Sequence, residues 1–340
     1  MKAGLIGFPG SGRDTIFRAL TGLPTVPGLN ELRQGEALVE DPRLDFLTEL
    51  FKPKKHTPAR VELLLSRPQA QNSGESLKLS LEKVRECDVL LMVLNNFSND
   101  GSTKFSPSQQ AEELESELLL SDYVSTEKRL LRLAEDKKRG KKNDPIELDL
   151  LNRAKELLEN NKPLRLDSQI VQAPVLRGFG FLSAKPTLFL INNPDDGDDN
   201  FRLERPDAFQ LVLRGSLEAE ISRLEPEEAL EFLADYGLKE PGRARVIKTI
   251  YEQMDLISFF TVGEDECRAW TIKKGEDALS AAGHIHTDIK KGFIRAEVVA
   301  FEDFKASGSF NEAKKKGLFR LEGKNYLVSD GDIVHFRFNV

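Results

Sequence analysis

The sequence specifies an α/β protein: a mostly parallel sheet flanked by helices, interrupted by an inserted helical hairpin and followed by a small mixed α+β module. Three observations point there. Apolar runs rich in branched residues alternate with helical stretches through most of the chain. Between Ser106 and Asn161 only a helical pattern appears. From about Ser258 the texture changes to short alternating strands split by turns.

In chain order, the strand signals are "KAGLIGF", "EALVE", "RVELLLS", "DVLLMVL", "PTLFLIN" and "FQLVLR". Strands that alternate with helices imply parallel pairing with helices on both faces. The strand-free stretch carries Leu114, Leu118, Leu130 and Leu133 in a first helical run, and Leu148, Leu151, Ala154 and Leu158 in a second. Between them lies "EDKKRGKKNDP", a polar turn with Gly140 and Pro145, so the two helices are expected to fold back as an antiparallel coiled-coil arm. In the C-terminal part, "FFTVG", "CRAWTI", "FIRAEVVAF", "FRLEG" and "NYLVSDGDIVHFRF" read as strands, with "DALSAAG" and "FNEAKKKG" as the only helical pieces. These divisions give a discontinuous sheet domain over 1–105 and 164–256, an arm over 106–163 and a terminal module over 257–340.

At 340 residues the chain exceeds one ordinary core. Hydrophobic residues at 39% and charged ones at 31% exclude a disordered or membrane class, and no apolar run is long enough to span a bilayer. "MKAGLIGFPG" runs from a short apolar strand into Pro9 and Gly10, unlike a signal peptide. Cys87 and Cys267 fall in different domains, which suits two free thiols and a cytoplasmic location. The net charge of −7 argues against a protein that coats nucleic acid, and no DNA partner is expected.

The chemistry-bearing segment is "GLIGFPGSGRDTIFRAL". Gly7 and Gly12 match the glycines of the phosphate loop GxxxxGK followed by Ser or Thr, between a strand and a helix as that motif requires. Backbone N–H groups and the helix N-terminus surround the phosphates in such loops, and they need no particular side chain. Gly7, Gly10, Ser11, Gly12, Arg13, Asp14 and Thr15 are therefore the candidate phosphate-binding residues. Arg13 replaces a lysine: the charge is kept, but a wide planar fork stands where a compact ammonium belongs. Asp14 replaces the magnesium-binding hydroxyl and puts a negative charge beside the phosphates. Asp14 or Thr15 is the candidate Mg2+ ligand. Read alone, the loop also suits a glycine-rich turn that caps a helix, with Asp14 favourable near the helix dipole.

Several longer stretches carry a resemblance. They are "DPRLDFLTELFKPKKHTPARVE", "ESELLLSDYVSTEKRLLRL", "AKPTLFLIN", "LEAEISRLEPEEALEFLADYGLKEPG", "RAWTIKKGEDALSAAGHIHTDIKKGFIRAEVVAFEDF" and "RLEGKNYLVSDGDIVHFRFNV". On these the chain resembles the YchF/Obg-like ATPase family of translation-factor P-loop proteins. The resemblance implies a Ras-like P-loop NTPase domain, an inserted helical hairpin and a C-terminal β-grasp (TGS) domain. It also implies ATP or GTP as ligand, with Mg2+, and the ribosome or its RNA as partner. By the same resemblance Asn192 and Asp195 in "NNPDD" match the family's base-contacting Asn-x-x-Glu; read alone, that segment is equally a polar turn after a strand.

The departures from the family are specific. The switch motif DxxG should fall near Glu62 to Ser66, where the chain reads "ELLLS". The following glycine-rich segment is replaced by "RPQAQNSGES", the first switch is short, and the family's histidine position holds Lys104. Losing DxxG removes the aspartate that orders magnesium and the glycine that senses the γ-phosphate. The expected function is purine nucleotide binding with weak or lost hydrolysis and no assigned catalytic residue. An active ATPase or GTPase and a nucleotide-free interaction scaffold are the alternatives.

Weaker signals read as surface or core. "KKRGKK" at the arm tip, "KPKK" at 52–55 and "KKK" at 314–316 suit solvated faces more than RNA contacts. His284 and His286, taken as an alternating pair on a strand, have no acidic or thiol cluster in the sequence nearby and suit a structural role. Trp270 and Phe293 are expected to pack the terminal module.

Overall fold

The computed structural model describes residues 1–24, 32–66, 73–97, 106–197, 199–205 and 208–339. The chain opens with β1 (Lys2–Ile6), α1 (Arg13–Thr21), β2 (Leu32–Leu38), α2 (Pro42–Phe51), β3 (Lys55–Thr57), β4 (Arg60–Ser66), α3 (Ser73–Lys83) and β5 (Val89–Asn95). Next come α4 (Pro107–Lys138), α5 (Pro145–Glu159), α6 (Ser168–Gln172), β6 (Thr187–Asn193), β7 (Phe209–Arg214), α7 (Gly215–Ile221), α8 (Pro226–Asp235) and α9 (Gly242–Gln253). The terminal run is β8 (Leu256–Val262), β9 (Glu266–Lys273), α10 (Ala278–Ile285), α11 (Thr287–Lys291), β10 (Phe293–Ala300), α12 (Phe301–Ser307), α13 (Phe310–Lys315), β11 (Arg320–Glu322) and β12 (Asp332–Phe338). Two compact units result: Met1–Ala37 with Val61–Val246, and Leu38–Arg60 with Ile247–Val340.

The first unit is built on a sheet in the order β2-β4-β1-β5-β6-β7. β1 pairs in parallel with β4 and β5, and β5-β6 and β6-β7 are parallel too. Every residue of β5 and β6 is buried, which requires cover on both faces and explains why these strands read as unbroken apolar runs. Leu77, Leu81 and Val84 of α3 and its C-terminal end pack with Leu114 and Leu118 of α4 over Met92, Phe189 and Ile191. All six sequence-read strands are present, although β2 starts earlier than "EALVE" and ends before Glu40.

The hairpin follows the sequence at its ends. Ser106 caps α4 with a reciprocal capping box, Pro145 opens α5, and Gly140 takes the left-handed turn at φ 82°. Its packing differs from the expectation. Leu114 and Leu118 belong to the sheet core, and only the second half of α4 packs with α5. Leu133, Leu151, Ala154 and Leu158 share their core with Leu164, Ile170, Leu176 and Phe181 from α6 and its flanking turns, a layer that the sequence reading did not assign.

At the point where α4 leaves the sheet core, Asp122 is fully buried. Its carboxylate accepts from Leu182 N at 2.9 Å, Ser183 N at 2.7 Å and Ser183 Oγ at 2.7 Å, with Arg85 Nη1 at 3.6 Å. Burial pushes its pKa up, opposed first by the Ser183 hydroxyl and then by the two backbone donors. Two turns earlier on α4, Glu115 is bound by both Arg165 and Arg205.

The second unit carries a sheet in the order β11-β10-β12-β8-β9-β3. β8-β9 and β10-β12 are antiparallel and β12-β8 is parallel, so β9-β8-β12-β10 has the β-grasp order. Ala278, Ala281 and Ala282 of α10 lie against Phe259, Val298 and Val334 of those strands. Phe293 is buried with this core and Trp270 stacks at 6.4 Å on Phe259, as expected for packing residues. Three expectations fail here. "NYLVSD" is not a strand, because only Asp332–Phe338 pairs continuously. α11 and α12 are helical in addition to the expected pieces. His284 lies on α10 and bonds Glu276 at 2.8 Å, while His286 caps α11, so the two do not alternate on a strand.

Residues 38–60, read in the sequence with the first sheet, lie in this second unit. The cause is visible in the side chains. β3 pairs with β9, Arg43 binds Asp330 at 2.7 Å, and Phe46 and Phe51 pack on Phe301, Phe304 and Phe310. Lys54 and Lys55 of "KPKK" pair with Asp265 and Glu266, and at the arm tip Lys141 pairs with Asp136.

Both cysteines are buried and unlinked. Burial pushes the Cys87 thiol up to about 11. In the native protein near pH 8, a thiol reagent is expected to label neither at an appreciable rate, and to label both after denaturation. Fast native labelling of Cys87 would contradict the packing described.

Candidate functional site

β1 delivers the chain to a loop over residues 7–12, and α1 carries it away. Ser11 N donates to Phe8 O at 3.1 Å and closes the turn. Gly12, the residue before α1, has φ 87° and ψ 17°, which favours glycine, and it supplies no side chain to cap the helix. The first-turn amides of α1 are thus left as donors without a side-chain cap. Gly7 sits so close to its neighbours that a Cβ would stand 2.5 Å from Val93 O and 2.7 Å from Ser11 Oγ. Ser11 itself is buried, and its hydroxyl has no hydrogen-bond partner among the described residues. Such an orphan at a glycine turn is what a ligand-binding loop leaves unsatisfied.

The side chains that depart from the motif are also placed. Arg13 is half-buried, and its Cδ would be 3.3 Å from a Cβ on Gly7, so its stem runs back over the loop. Asp14 is half-buried with Oδ1 shielded from solvent, and Thr15 Oγ1 accepts from Arg18 Nη2 at 3.4 Å. The seven phosphate candidates therefore fall on the loop 7–12 and the first turn of α1.

Asn192 and Asp195 lie at the same end of the sheet, in a role that sequence reasoning missed. Asn192 is buried; its Nδ2 donates to Ser11 O at 3.1 Å and its Oδ1 accepts from Gly215 N at 3.1 Å. Both ends of the amide are thereby committed to bracing the loop against the start of α7. A Cβ on Gly12 or Gly215 would overlap this amide, which accounts for glycine at both positions. Asp195 is exposed, and its Oδ1 accepts from Leu217 N at 3.3 Å. Gly215 in "RGSLEAE" was the available signal: a glycine opening a helix straight after a strand.

Glu218 of α7 is buried and accepts from Gly242 N at 2.7 Å and Arg245 Nη2 at 2.9 Å. Burial raises its pKa, opposed by the Gly242 N–H and Arg245. These partners make it an anchor for α7 rather than an acid or base.

β4 runs over "RVELLLS" and holds neither Asp nor Gly where DxxG would stand. Residues 67–72 after it, residues 25–31 of the first switch, and Lys104 lie outside the described residues. No cluster of three or more His, Cys, Asp or Glu side chains suited to a metal occurs among the described residues. No described helix is long and apolar enough to cross a membrane.

A parallel sheet with a glycine loop between β1 and α1, braced from the strand β6, defines a P-loop NTPase-type protein. Comparison with known proteins narrows that class. Residues 256–339 match the family model YchF-GTPase_C, described as a protein of unknown function (DUF933). The chain is 38% identical over 363 residues to the ribosome-binding ATPase YchF of Haemophilus ducreyi, covering 100% of this chain and 99% of the relative. It is 36% identical to the Bacillus subtilis protein of the same name, with full coverage of both at 100%. To Obg-like ATPase 1 of Bos taurus it is 32% identical over 100% of this chain and 92% of that protein. The solved structure of the Schizosaccharomyces pombe YchF GTPase superposes with a TM-score of 0.84 at 26% identity, over 99% of this chain and 97% of that one. The chain belongs to the YchF family.

Proposed function

We propose that the protein binds a purine nucleoside triphosphate, ATP or GTP, at the loop 7–15, turns it over slowly or not at all, and acts on the ribosome in the cytoplasm. The observation that carries the binding is the formed cradle: positive-φ Gly12 at an uncapped helix start, held in place by Asn192, with the Ser11 hydroxyl unsatisfied among the described residues. Backbone donors in that arrangement hold phosphate oxygens whatever side chains surround them. The name ribosome-binding ATPase on relatives that this chain matches over nearly their whole length supports the partner.

Slow turnover follows from the side chains. Arg13 brings charge to the phosphates but is less compact than lysine, and β4 offers no aspartate or γ-phosphate-sensing glycine. The shielded Asp14 carboxylate and the Thr15 hydroxyl are hard oxygen donors that fit Mg2+, which takes one or two protein ligands and the rest from phosphate and water. When bound there, the ion would neutralise charge on the triphosphate, offsetting the repulsion from Asp14. With the Asn192 amide engaged at both ends, Asp195 is the freer of the two groups for the base edge, and the terminal module is proposed as a TGS domain.

Isothermal titration with ATP and GTP, with and without magnesium, tests this. Saturable heat with at least one nucleotide, strengthened by magnesium, is expected, with little phosphate release. No heat and no thermal shift with either nucleotide leaves the scaffold reading. Rapid turnover lost on Arg13→Ala establishes an active NTPase instead.

A further inference from the structure

The leucines of α4 that face its own sheet or α5 leave a second apolar face uncovered among the described residues. Leu120, Val124 and Leu131 belong to neither core and are 50%, 55% and 63% exposed. Their spacings of four and seven place them on one side of the helix. Continued in alternating steps of four and three, that side runs from Glu113 to Lys138 through all three, the seam pattern of a two-stranded coiled coil. The seam is about 38 Å long at 1.5 Å per residue.

Its charges are sorted along its length. Glu112 and Glu113 near the start of α4, and Lys137 and Lys138 at its end, are exposed and make no ion pair among the described residues. Glu127, the carboxylate nearest the middle of the seam, has Lys155 of its own chain at 3.9 Å. The series is complementary to its own reverse. With Leu120 set opposite Leu131 of a second copy, Val124 falls opposite Glu127 and Glu117 opposite Ala134. In the same register Glu113 faces Lys138, and on the flank beside them Glu112 faces Lys137.

From this pattern we infer that the exposed face of α4 binds a second copy of this chain, helix against helix and antiparallel, about a two-fold axis near Ser125. A two-fold contact is isologous, so every pairing occurs twice: both ends of the seam are closed by opposite charges, with leucines between. A parallel pair would set Glu113 on Glu113 and Lys138 on Lys138, and like charges across an interface repel. A nucleic acid would meet carboxylates over the first half of the face. The association depends on neither the nucleotide nor the ribosome.

Sedimentation velocity of the full chain over a concentration series at low salt is expected to show a reversible monomer–dimer equilibrium. Leu131→Glu is expected to leave only monomer. The double variant Glu112→Lys with Glu113→Lys, and the double variant Lys137→Glu with Lys138→Glu, are each expected to dimerise about tenfold or more weakly. An equimolar mixture of the two is expected to restore the dimer, because each now carries the charge that the other needs. Register is read from Leu120→Cys and Leu131→Cys, since both native cysteines are buried. Mild oxidation of the two mixed is expected to give a cross-linked dimer. Either alone is expected to give none, because like positions stand about 16 Å apart along the antiparallel pair, too far for a disulfide. Unaltered thermal midpoints of these exposed-residue variants would establish that folding is not the cause. A parent that stays monomeric up to about 1 mM overturns the inference. So does a dimer that survives Leu131→Glu, a charge mixture that fails to associate, or cross-linking of Leu120→Cys with itself.

Discussion

Gly12→Ala is expected to abolish nucleotide binding and to lower stability by roughly 2–4 kcal/mol. The backbone at Gly12 has φ 87°, a conformation that alanine adopts only with strain. The added Cβ would also overlap Asn192 Nδ2, whose bond to Ser11 O fixes the loop. Relief requires moving Asn192, and its Oδ1 then leaves the buried Gly215 N–H without an acceptor. Gly10→Ala is the informative companion. Gly10 has a similar φ of 82° but open space around it, so only backbone strain of about 1 kcal/mol is expected. Thermal unfolding with and without nucleotide separates the two variants. Gly12→Ala that binds like the parent would show that Asn192 does not brace the loop.

Asp122→Ala is the second large effect, expected to cost about 3–5 kcal/mol because it leaves Arg85 and three other donors facing an empty, buried space. Those donors are Leu182 N, Ser183 N and Ser183 Oγ. Asp122→Asn keeps the shape but replaces one acceptor oxygen with an NH2 that faces donors, so it is expected to be destabilised too, by a smaller amount. Denaturant unfolding with unchanged slope would measure both. An Asn variant as stable as the parent would mean that the carboxylate is not the acceptor for all three donors. Nucleotide affinity, by contrast, should respond little, because the phosphate loop is anchored by Asn192 and not by Asp122.

These effects also show what the sequence could disclose. The strands of the first sheet were legible because β5 and β6 are buried on both faces and therefore carry unbroken apolar runs. The loop was legible because its glycine spacing is dictated by backbone geometry. The brace was not, since the partners of Asn192 stand 181 and 23 positions away. Helical periodicity in α4 announced a buried stripe correctly, but it cannot say what covers it. Leu114 and Leu118 meet the sheet while Leu133 meets α5 and α6. β3 was missed for its brevity: three residues, "KHT", give no alternation to read. His284 was misplaced because a two-residue alternation of histidines imitates a strand, whereas the alanines around it pack α10 onto the sheet.

The uninterrupted course of α4 has a mechanical consequence. Its 32 residues form one rod, clamped over its first half and unclamped from the sheet beyond Asp122. The outlying stretch from Tyr123 to Lys138 is roughly 24 Å long at 1.5 Å per residue, so a tilt of about 5° at the clamp would swing its far end by roughly 2 Å. Small adjustments in the sheet core would reach the arm tip magnified and without delay from any joint.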